Sequence, residues 1–176
     1  MSELDALIDR LVRPIHDWPE PGVTFRDITP LLADPSAFAA VVDGLVALPE
    51  LTGPVDAVLG IEARGFLFGP SIAMRLGVAF VPVRKAGKLP AESLSTSYDL
   101  EYGSATLEMH VDAIAPGDRV IVVDDVLATG GTLLAAADLV GQAGGSVAAN
   151  LVLIELLALG GRDRLGATGC GTLRAY

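Results

Sequence analysis

Apolar side chains recur at helical spacing at the start of the chain. Residues 4–12 follow this pattern, and Ser2 and Asp5 have the spacing of a capping box, which together predict an amphipathic first helix. The polar, proline-rich segment from His16 to Pro30 predicts irregular structure. The pair Asp34-Pro35, a cap followed by a first-turn proline, predicts the start of a second helix.

From residue 55 onward, short apolar runs alternate with helical stretches. Each run has the length of a buried strand, and glycine-containing turns separate the runs from the helices. The predicted strands cover 55–61, 78–83, 120–123 and 146–154, and the predicted helices cover 66–76 and 132–143. Strand-helix-strand alternation of this kind predicts an α/β fold with a mostly parallel central sheet flanked by helices.

One later segment alternates between apolar and polar residues instead of being apolar throughout. Every second residue is polar between Ala105 and Val111, which predicts a half-exposed antiparallel strand. The segment from Ser93 to Tyr98 lies on the other side of a loop, so we expect the two segments to pair as a hairpin.

Composition narrows the class of protein. The 176 residues suffice for one domain with a sizeable core, and 51% of them are apolar while 19% are charged, which excludes a disordered chain and a coiled coil. The net charge of −10 argues against nucleic acid or an anionic membrane as the main partner. The longest uncharged run, 139–154, is too short and polar to predict a membrane span. A single cysteine, Cys170, and an acidic N-terminus without signal-peptide features lead us to expect a cytoplasmic protein.

The segment from Val120 to Thr132, VIVVDDVLATGGT, carries the strongest chemical signal. A buried strand ends at two carboxylates, and a loop of small residues then opens a helix. In open α/β sheets, ligands bind beyond the carboxyl ends of the strands. The loop presents backbone N–H groups at the positive end of a helix, and Thr129 and Thr132 add hydroxyl donors, so the loop suits a phosphate group.

The two carboxylates of this segment suit a different part of the same ligand. Asp124 and Asp125 would repel a second phosphate, but they can accept hydrogen bonds from two vicinal sugar hydroxyls, so the segment predicts a receptor for a ribose 5-phosphate. The lysine of a P-loop is absent and no GxGxxG motif follows a strand, which makes ATPase and dinucleotide functions weak alternatives. An ordinary strand-to-helix turn, capped by Asp125 or Thr132, stays open.

Positive charge is concentrated at one place in the chain. The only two lysines, Lys85 and Lys88, both lie beside Arg84. In a protein of net charge −10, such a cluster predicts a local positive field for a polyanion. A solvated surface cluster is the alternative.

The segment VIVVDDVLATGGT resembles the binding motif for phosphoribosyl pyrophosphate (PRPP) in the type I phosphoribosyltransferases. Further blocks are similar to the adenine branch of that family and follow in its order: PGVTFRDITPLL at 21–32, GIEARGFLFGP at 60–70, VPVRKAGKLP at 81–90 and YDLEYG at 98–103. The resemblance covers nearly the whole chain, from the first helix to about Leu157. It implies the type I fold in a single domain over 1–176, with an N-terminal helix and base-binding hood over about 1–34, a core over about 35–176 and an antiparallel flexible-loop hairpin.

The resemblance also implies a reaction and its partners. The adenine branch transfers the 5-phosphoribosyl group from PRPP to adenine, giving AMP and pyrophosphate in purine salvage, with Mg²⁺. We therefore expect an enzyme that binds adenine and PRPP and forms a homodimer, with neither nucleic acid nor a membrane as a partner. We expect Mg²⁺ to be held mainly through pyrophosphate and water, without a protein metal site.

The family's contacts with PRPP can be carried over onto matching residues. By resemblance, the ribose hydroxyls and the 5-phosphate would meet Asp124, Asp125, Ala128, Thr129, Gly130, Gly131 and Thr132. The pyrophosphate would meet Ala63, Arg64, Arg84, Lys85 and Lys88. For Arg64, an ion pair with Glu62 or with another acid is the alternative.

In the family, the N-terminal hood recognises the base. The phenylalanine that matches Phe25 stacks on adenine, and backbone groups near the positions of Thr24 and Arg26 hydrogen-bond the edge of the ring. Val126 takes the position that covers the other face of the base, where the family usually has leucine. An ordinary core aromatic is the alternative for Phe25.

Glu101 and Tyr102 lie on a long connection from Lys88 to Ser104, and its length suggests a lid. By resemblance, this loop closes over the site, and its glutamate exchanges a proton near N7 of adenine while N9 attacks C1 of the ribose. Glu101, Tyr102 and Arg64 are therefore the candidate catalytic residues, and the transition state would resemble an oxocarbenium ion. A solvated surface position is the alternative for Glu101.

Two other functions compete on the same fold. A PRPP-sensing regulator would need a nucleic-acid surface, which the length and the charge of this chain disfavour. An enzyme for a 6-oxo purine would differ in the hood, where the block at 21–32 resembles the adenine branch.

Overall fold

The computed structural model describes residues 2–99, 104–166 and 169–176. The chain forms two compact units, Met1–Gly44 and Leu45–Tyr176. The elements of the first unit are α1 (Glu3–Leu11), β1 (Arg13–His16), β2 (Thr24–Asp27), α2 (Thr29–Leu32) and the beginning of α3 (Pro35–Val46).

Both helix starts predicted in the first unit are confirmed. The hydroxyl of Ser2 accepts a hydrogen bond from the backbone N–H of Asp5 at 3.0 Å, and the Asp5 carboxylate accepts one from the backbone N–H of Ser2 at 2.7 Å. At the start of α3, Oδ1 of Asp34 accepts hydrogen bonds from the backbone N–H groups of Ser36 and Ala37, both at 3.0 Å. These contacts satisfy donors that have no partner within the helix.

The prediction of irregular structure between His16 and Pro30 is confirmed for residues 17–23 and wrong for most of residues 24–30. β1 and β2 form an antiparallel hairpin with Arg13 opposite Asp27, and the short helix α2 follows. The carboxylate of Asp27 is buried and accepts hydrogen bonds from the Arg13 guanidinium and from the hydroxyl and backbone N–H of Thr29. The Thr29 backbone and Arg13 lower the pKa of Asp27. This pairing joins residues 14 positions apart, so the local pattern does not reveal it.

The second unit contains the large sheet and the helices that cover it. Its elements are β3 (Ala57–Ile61), α4 (Gly65–Leu76), β4 (Ala79–Lys85), β5 (Ser93–Asp99), β6 (Ser104–His110), β7 (Arg119–Leu127), α5 (Gly131–Gln142), β8 (Ser146–Glu155), a 3₁₀ turn (Leu157–Leu159), α6 (Gly161–Leu165) and β9 (Gly171–Ala175). The strand order is β5-β6-β4-β3-β7-β8-β9. The neighbouring strands in the order β4-β3-β7-β8-β9 are all parallel. Strand β6 is antiparallel to both β4 and β5.

This topology confirms the predicted α/β fold with a mostly parallel sheet and the predicted β5–β6 hairpin. Every residue of β3 is buried, as expected of a central parallel strand that is covered on both faces. Helix α4 ends at Gly77, whose φ of +71° lies in the left-handed region that favours glycine. The C-terminal segment adds β9 as a parallel edge strand beside β8.

Candidate active site

A cavity of about 400 Å³ lies where the central strands β3 and β7 end. Most of its lining consists of residues with a predicted role: Ala63, Arg64, Lys85, Asp124, Asp125, Val126, Ala128 and Thr132. Glu62 and Tyr98 complete the lining. The cavity therefore occupies the place at which ligands bind in open α/β sheets.

The two carboxylates belong to a strand and not to the loop after it. β7 continues to Leu127, so the prediction of a strand that stops before Asp124 and Asp125 is wrong. The pairing of β7 with β3 ends where Val123 lies opposite Gly60, whereas the pairing with β8 continues to Leu127. Beyond Val123 the strand thus has a neighbour on one side only, and its side chains line the cavity.

Asp124 and Asp125 are held in an environment that disfavours their charge. Asp125 is buried and Asp124 is half-buried, and the backbone N–H of Asp125 donates to Oδ1 of Asp124 at 2.9 Å. Burial is the main cause that raises the pKa of both carboxyls, and the charge of Asp125 raises the pKa of Asp124 further. Two such carboxylates gain from hydrogen-bond donors, which vicinal hydroxyls of a sugar supply.

Arg64 offsets part of this negative charge. Its Nε lies 2.9 Å from Oδ2 of Asp125, so its partner is an acid other than the neighbouring Glu62. Gly65 makes this approach possible, because a Cβ at that position would lie 2.4 Å from the carbonyl oxygen of Val123. Helix α4 can therefore begin directly against β7, with Arg64 beside the carboxylates.

The loop Ala128–Thr132 has the form of an anion receptor. Gly130 begins α5 with a φ of +82°, and no side chain in the described part of the chain caps this helix, so the alternative in which Asp125 or Thr132 is the cap is wrong. A pocket of about 50 Å³ within the loop is lined by Val126, Leu127, Ala128, Thr129, Gly130, Thr132 and Leu133, whereas Gly131 borders another cavity. Uncapped N–H groups at a helix start are available to a phosphate.

Glu62 contacts the three neighbouring basic residues Arg84, Lys85 and Lys88. Its carboxylate accepts hydrogen bonds from Nε of Arg84 at 3.3 Å, from the backbone N–H of Lys85 at 3.0 Å and from Nζ of Lys88. These contacts, that of Lys88 first, lower the pKa of Glu62 to about 2. Lys85 and Glu62 line the cavity, whereas Arg84 and Lys88 contact Glu62 and are not among the lining residues. The peptide bond between Glu62 and Ala63 is cis.

The predicted base-binding residues belong to both units. Thr24, Phe25 and Arg26 are half-buried residues of β2 in the first unit, where the ring of Phe25 meets that of Trp18 edge to face with centroids 4.6 Å apart. Val126 lines the cavity of the second unit. Glu101 and Tyr102, in the connection between β5 and β6, lie outside the described residues.

Sequence reasoning missed three residues of this region. Glu62 stands in the block GIEARGFLFGP, where the local pattern indicates a pairing with Arg64 but not the contacts with Arg84 and Lys88, which are 22 and 26 positions away. Tyr98 opens the block YDLEYG and lines the cavity. Arg164 donates a hydrogen bond from Nη1 to the carbonyl oxygen of Thr129 at 3.0 Å, and no local signal reveals it because the two residues are 35 positions apart.

Two features are absent from the described residues. They contain no cluster of three or more His, Cys, Asp or Glu side chains placed to hold a metal ion. None of their helices is both long and apolar enough to cross a membrane.

Comparison with known proteins agrees with this geometry. The phosphoribosyl transferase domain model matches residues 33–172. An adenine phosphoribosyltransferase from Thermobifida fusca is 58% identical over 164 residues, which are 93% of each chain. The crystal structure of adenine phosphoribosyltransferase from Thermoanaerobacter pseudethanolicus superimposes with a TM-score of 0.92 at 48% identity, covering 98% of this chain and 99% of that one.

A further solved structure carries ligands. It is adenine phosphoribosyltransferase from Trypanosoma brucei in complex with AMP, pyrophosphate and ribose-5-phosphate. Its TM-score is 0.86 at 27% identity, covering 99% of this chain and 80% of that one.

The fold, the site and the domain match show that the chain belongs to the phosphoribosyl transferase domain family. The identities of these relatives narrow the assignment. Within that family, the chain belongs to the adenine phosphoribosyltransferases, which are enzymes.

Proposed function

We propose that this protein transfers the 5-phosphoribosyl group from PRPP to adenine, giving AMP and pyrophosphate in purine salvage. The observation that carries the proposal is the meeting, at one cavity, of two carboxylates and an uncapped glycine loop. The relative from Trypanosoma brucei, which binds AMP, pyrophosphate and ribose-5-phosphate, supports it.

The ribose 5-phosphate would bind along the end of β7. Asp124 and Asp125 would accept hydrogen bonds from the two ribose hydroxyls. These hydrogen bonds would offset the cost of desolvation that raises the pKa of both carboxyls. The backbone N–H groups of Ala128–Thr132 would hold the 5-phosphate, together with the hydroxyls of Thr129 and Thr132. The helix start itself contributes only about 0.3–2 kcal/mol per charge, so the amides and the hydroxyls supply most of the affinity.

The pyrophosphate would bind on the side of the cavity lined by Ala63, Arg64 and Lys85. Arg84 and Lys88 donate hydrogen bonds to Glu62. When pyrophosphate binds, both side chains would donate hydrogen bonds to this anion as well. These cations stabilise the negative charge that develops on the leaving group as the bond between C1 and oxygen breaks.

Mg²⁺ fits this site through the substrate rather than through the protein alone. Mg²⁺ takes oxygen ligands and commonly combines one or two carboxylates with substrate phosphates and several waters. The cavity offers Asp124 and Asp125 but, among the described residues, no cluster of three metal-binding side chains. Mg²⁺ would therefore be held mainly by pyrophosphate and water, and when bound it would neutralise charge on the leaving group.

The residues at the family's base-binding positions would bind adenine. Phe25 would stack on one face of the ring and Val126 would cover the other, with hydrogen bonds from backbone groups near Thr24 and Arg26. The edge-to-face contact with Trp18 limits the orientations open to Phe25, which favours a fixed stacking surface. A site that hydrogen-bonds the 6-amino group would reject a 6-oxo purine by a factor on the order of 10⁴.

Glu101 and Tyr102 would complete the site from the lid. Glu101 would exchange a proton with the imidazole ring of adenine while N9 attacks C1 of the ribose, through an oxocarbenium-like transition state. Closure of the lid would exclude water, which otherwise captures the ribosyl cation. Arg64, beside Asp125, would act at the reacting centre as the third catalytic group.

We further propose that residues 1–176 act as a single domain and that the protein forms a homodimer in the cytoplasm. Sedimentation at micromolar concentration tests the dimer, and a monomer would contradict it.

The reaction is tested by incubating the protein with PRPP, Mg²⁺ and each of adenine, hypoxanthine, guanine and xanthine, with product identification. We expect AMP from adenine alone. Turnover of a 6-oxo purine would keep the reaction class and overturn the assigned base. No turnover with any base, despite PRPP binding, would favour a regulatory protein. The control is Asp124→Asn combined with Asp125→Asn, which should lose PRPP binding while it keeps the fold.

A further inference from the structure

Helix α6 lies directly against the outside of the phosphate loop. A Cβ at Gly161, the first residue of α6, would lie 2.2 Å from the carbonyl oxygen of Ala128. A Cβ at Gly130 would lie 2.9 Å from the carbonyl oxygen of Gly161. The two backbones are therefore in contact, and only glycines at both positions allow this distance.

Arg164, one turn further along α6, fixes one peptide group of the loop. Its Nη1 donates to the carbonyl oxygen of Thr129 at 3.0 Å. That carbonyl and the N–H of Gly130 belong to the same trans peptide and point in opposite directions. Because the guanidinium holds the carbonyl, it directs the N–H of Gly130 away from α6. The small pocket of the loop is lined by Gly130 and not by Arg164, so Arg164 acts from outside the pocket.

The other arginine of α6 anchors the helix to the sheet. The carboxylate of Glu155, buried at the end of β8, accepts hydrogen bonds from Nε of Arg162 at 2.9 and 3.1 Å. Nη1 of Arg162 also donates to the carbonyl oxygen of Cys170 at 2.7 Å. Residues two positions apart do not share a helix face, so Arg162 and Arg164 serve different neighbours. Helix α6 thus connects the core of the sheet to the loop.

We propose that Arg164 is a positioning residue for the 5-phosphate of the substrate, acting through the carbonyl of Thr129 on the N–H of Gly130. The proposal rests on the proposed function, in which this loop holds the 5-phosphate. It gives the segment after Leu157 a role in substrate binding, since α6 supplies the support that the loop lacks within its own sequence.

The test compares Arg164→Met with Arg164→Lys and with Asp163→Asn, an exposed position on the same helix. Calorimetry gives the Kd of ribose 5-phosphate and of ribose, and initial rates give the KM for PRPP and for adenine. We expect Arg164→Met to raise the Kd of ribose 5-phosphate and the KM for PRPP about fivefold to tenfold, which is the net contribution of one typical hydrogen bond. The KM for adenine and the Tm should stay unchanged.

Arg164→Lys, which keeps a charged donor, should regain most of the affinity, and Asp163→Asn should match the wild type. A Kd for ribose 5-phosphate within twofold of the wild type in Arg164→Met would overturn the inference and leave the proposed function intact. Equal losses for PRPP and adenine would also overturn it, because they indicate general destabilisation. If the wild type binds ribose 5-phosphate no better than ribose, the proposed function of the loop fails, and the inference with it.

Discussion

The two sides of the cavity are built in different ways. The loop Ala128–Thr132 is shaped by its backbone, through the positive φ of Gly130 and the close approach of Gly161. The opposite side is shaped by side chains, since Glu62 holds Arg84 and Lys88 by hydrogen bonds that cross the strand ends. One side is held by close backbone contacts, and the other has its cations paired with a carboxylate.

This difference matches what each side would do in the proposed reaction. The 5-phosphate stays bound while the base replaces pyrophosphate, so a preorganised backbone loop gives affinity without reorganisation. The pyrophosphate has to leave. Arg84 and Lys88 can then form their hydrogen bonds with Glu62 again, which lowers the free-energy cost of releasing the pyrophosphate. The proposed site thus combines a backbone loop, which would keep the 5-phosphate, with charged side chains that can exchange pyrophosphate for Glu62.

The largest expected effect comes from a glycine-to-alanine substitution, which is made once on each side of the cavity. Gly130→Ala places a Cβ at φ +82° and 2.9 Å from a backbone oxygen, whereas Gly87→Ala meets open space at φ +79°. Gly130→Ala should lower the free energy of unfolding by about 2 kcal/mol or more and raise the KM for PRPP at least about 100-fold. Gly87→Ala should cost about 1 kcal/mol and leave that KM within about threefold. Denaturant melts and initial rates measure both, and equal effects would contradict the contrast.

A middle-sized effect concerns the carboxylates between the two sides. Asp124→Asn should weaken PRPP binding about 10-fold to 100-fold, because a charged acceptor of a ribose hydroxyl is lost, while adenine binding is unchanged. The same variant should be more stable than the wild type at neutral pH, by about 1 kcal/mol. Calorimetry and thermal melts measure the two quantities, with Asp112→Asn at an exposed position as control.

The sign of this stability change follows from the raised pKa of Asp124. The unfolded chain releases the proton near pH 3.8, and the folded protein keeps it to higher pH, so stability falls as the pH rises between the two values. Above the folded pKa the ionised carboxylate is fully unfavourable, and the asparagine removes that cost. The gain should vanish below about pH 3.8; a variant less stable than the wild type at pH 7 would refute this account.

The smallest effect concerns Glu62. Its pKa falls from 4.5 in the unfolded chain to about 2, so its contribution to stability is complete above pH 4.5 and is lost as the pH falls towards 2. Glu62→Gln should lower the free energy of unfolding by about 1 kcal/mol at pH 7 and by almost nothing near pH 2. Urea melts at several pH values measure this, and Lys88→Met should reproduce most of the loss. A difference that does not vary with pH would assign Glu62 another role.

Much of the fold was predictable because it rests on local interactions. The capping box of α1, the Asp34 cap of α3 and the glycine end of α4 lie within a few residues of the helices they bound. The β5–β6 hairpin follows from alternation along neighbouring segments. By contrast, the β1–β2 hairpin depends on a buried Asp27 whose partner Arg13 is 14 positions away, and the prediction there was wrong.

The contiguous part of the site was predictable from the amino-acid order alone. Asp124, Asp125 and the loop Ala128–Thr132 stand within one short segment, so their spacing along the chain already fixes which groups can share a ligand. The other contacts became visible only in the folded chain: Arg64 beside Asp125, Glu62 between Arg84 and Lys88, and Arg164 against the carbonyl of Thr129. The strand order β4-β3-β7 and the contact of α6 with the loop bring these side chains together. Because the residues are far apart in sequence, no local pattern reveals these contacts.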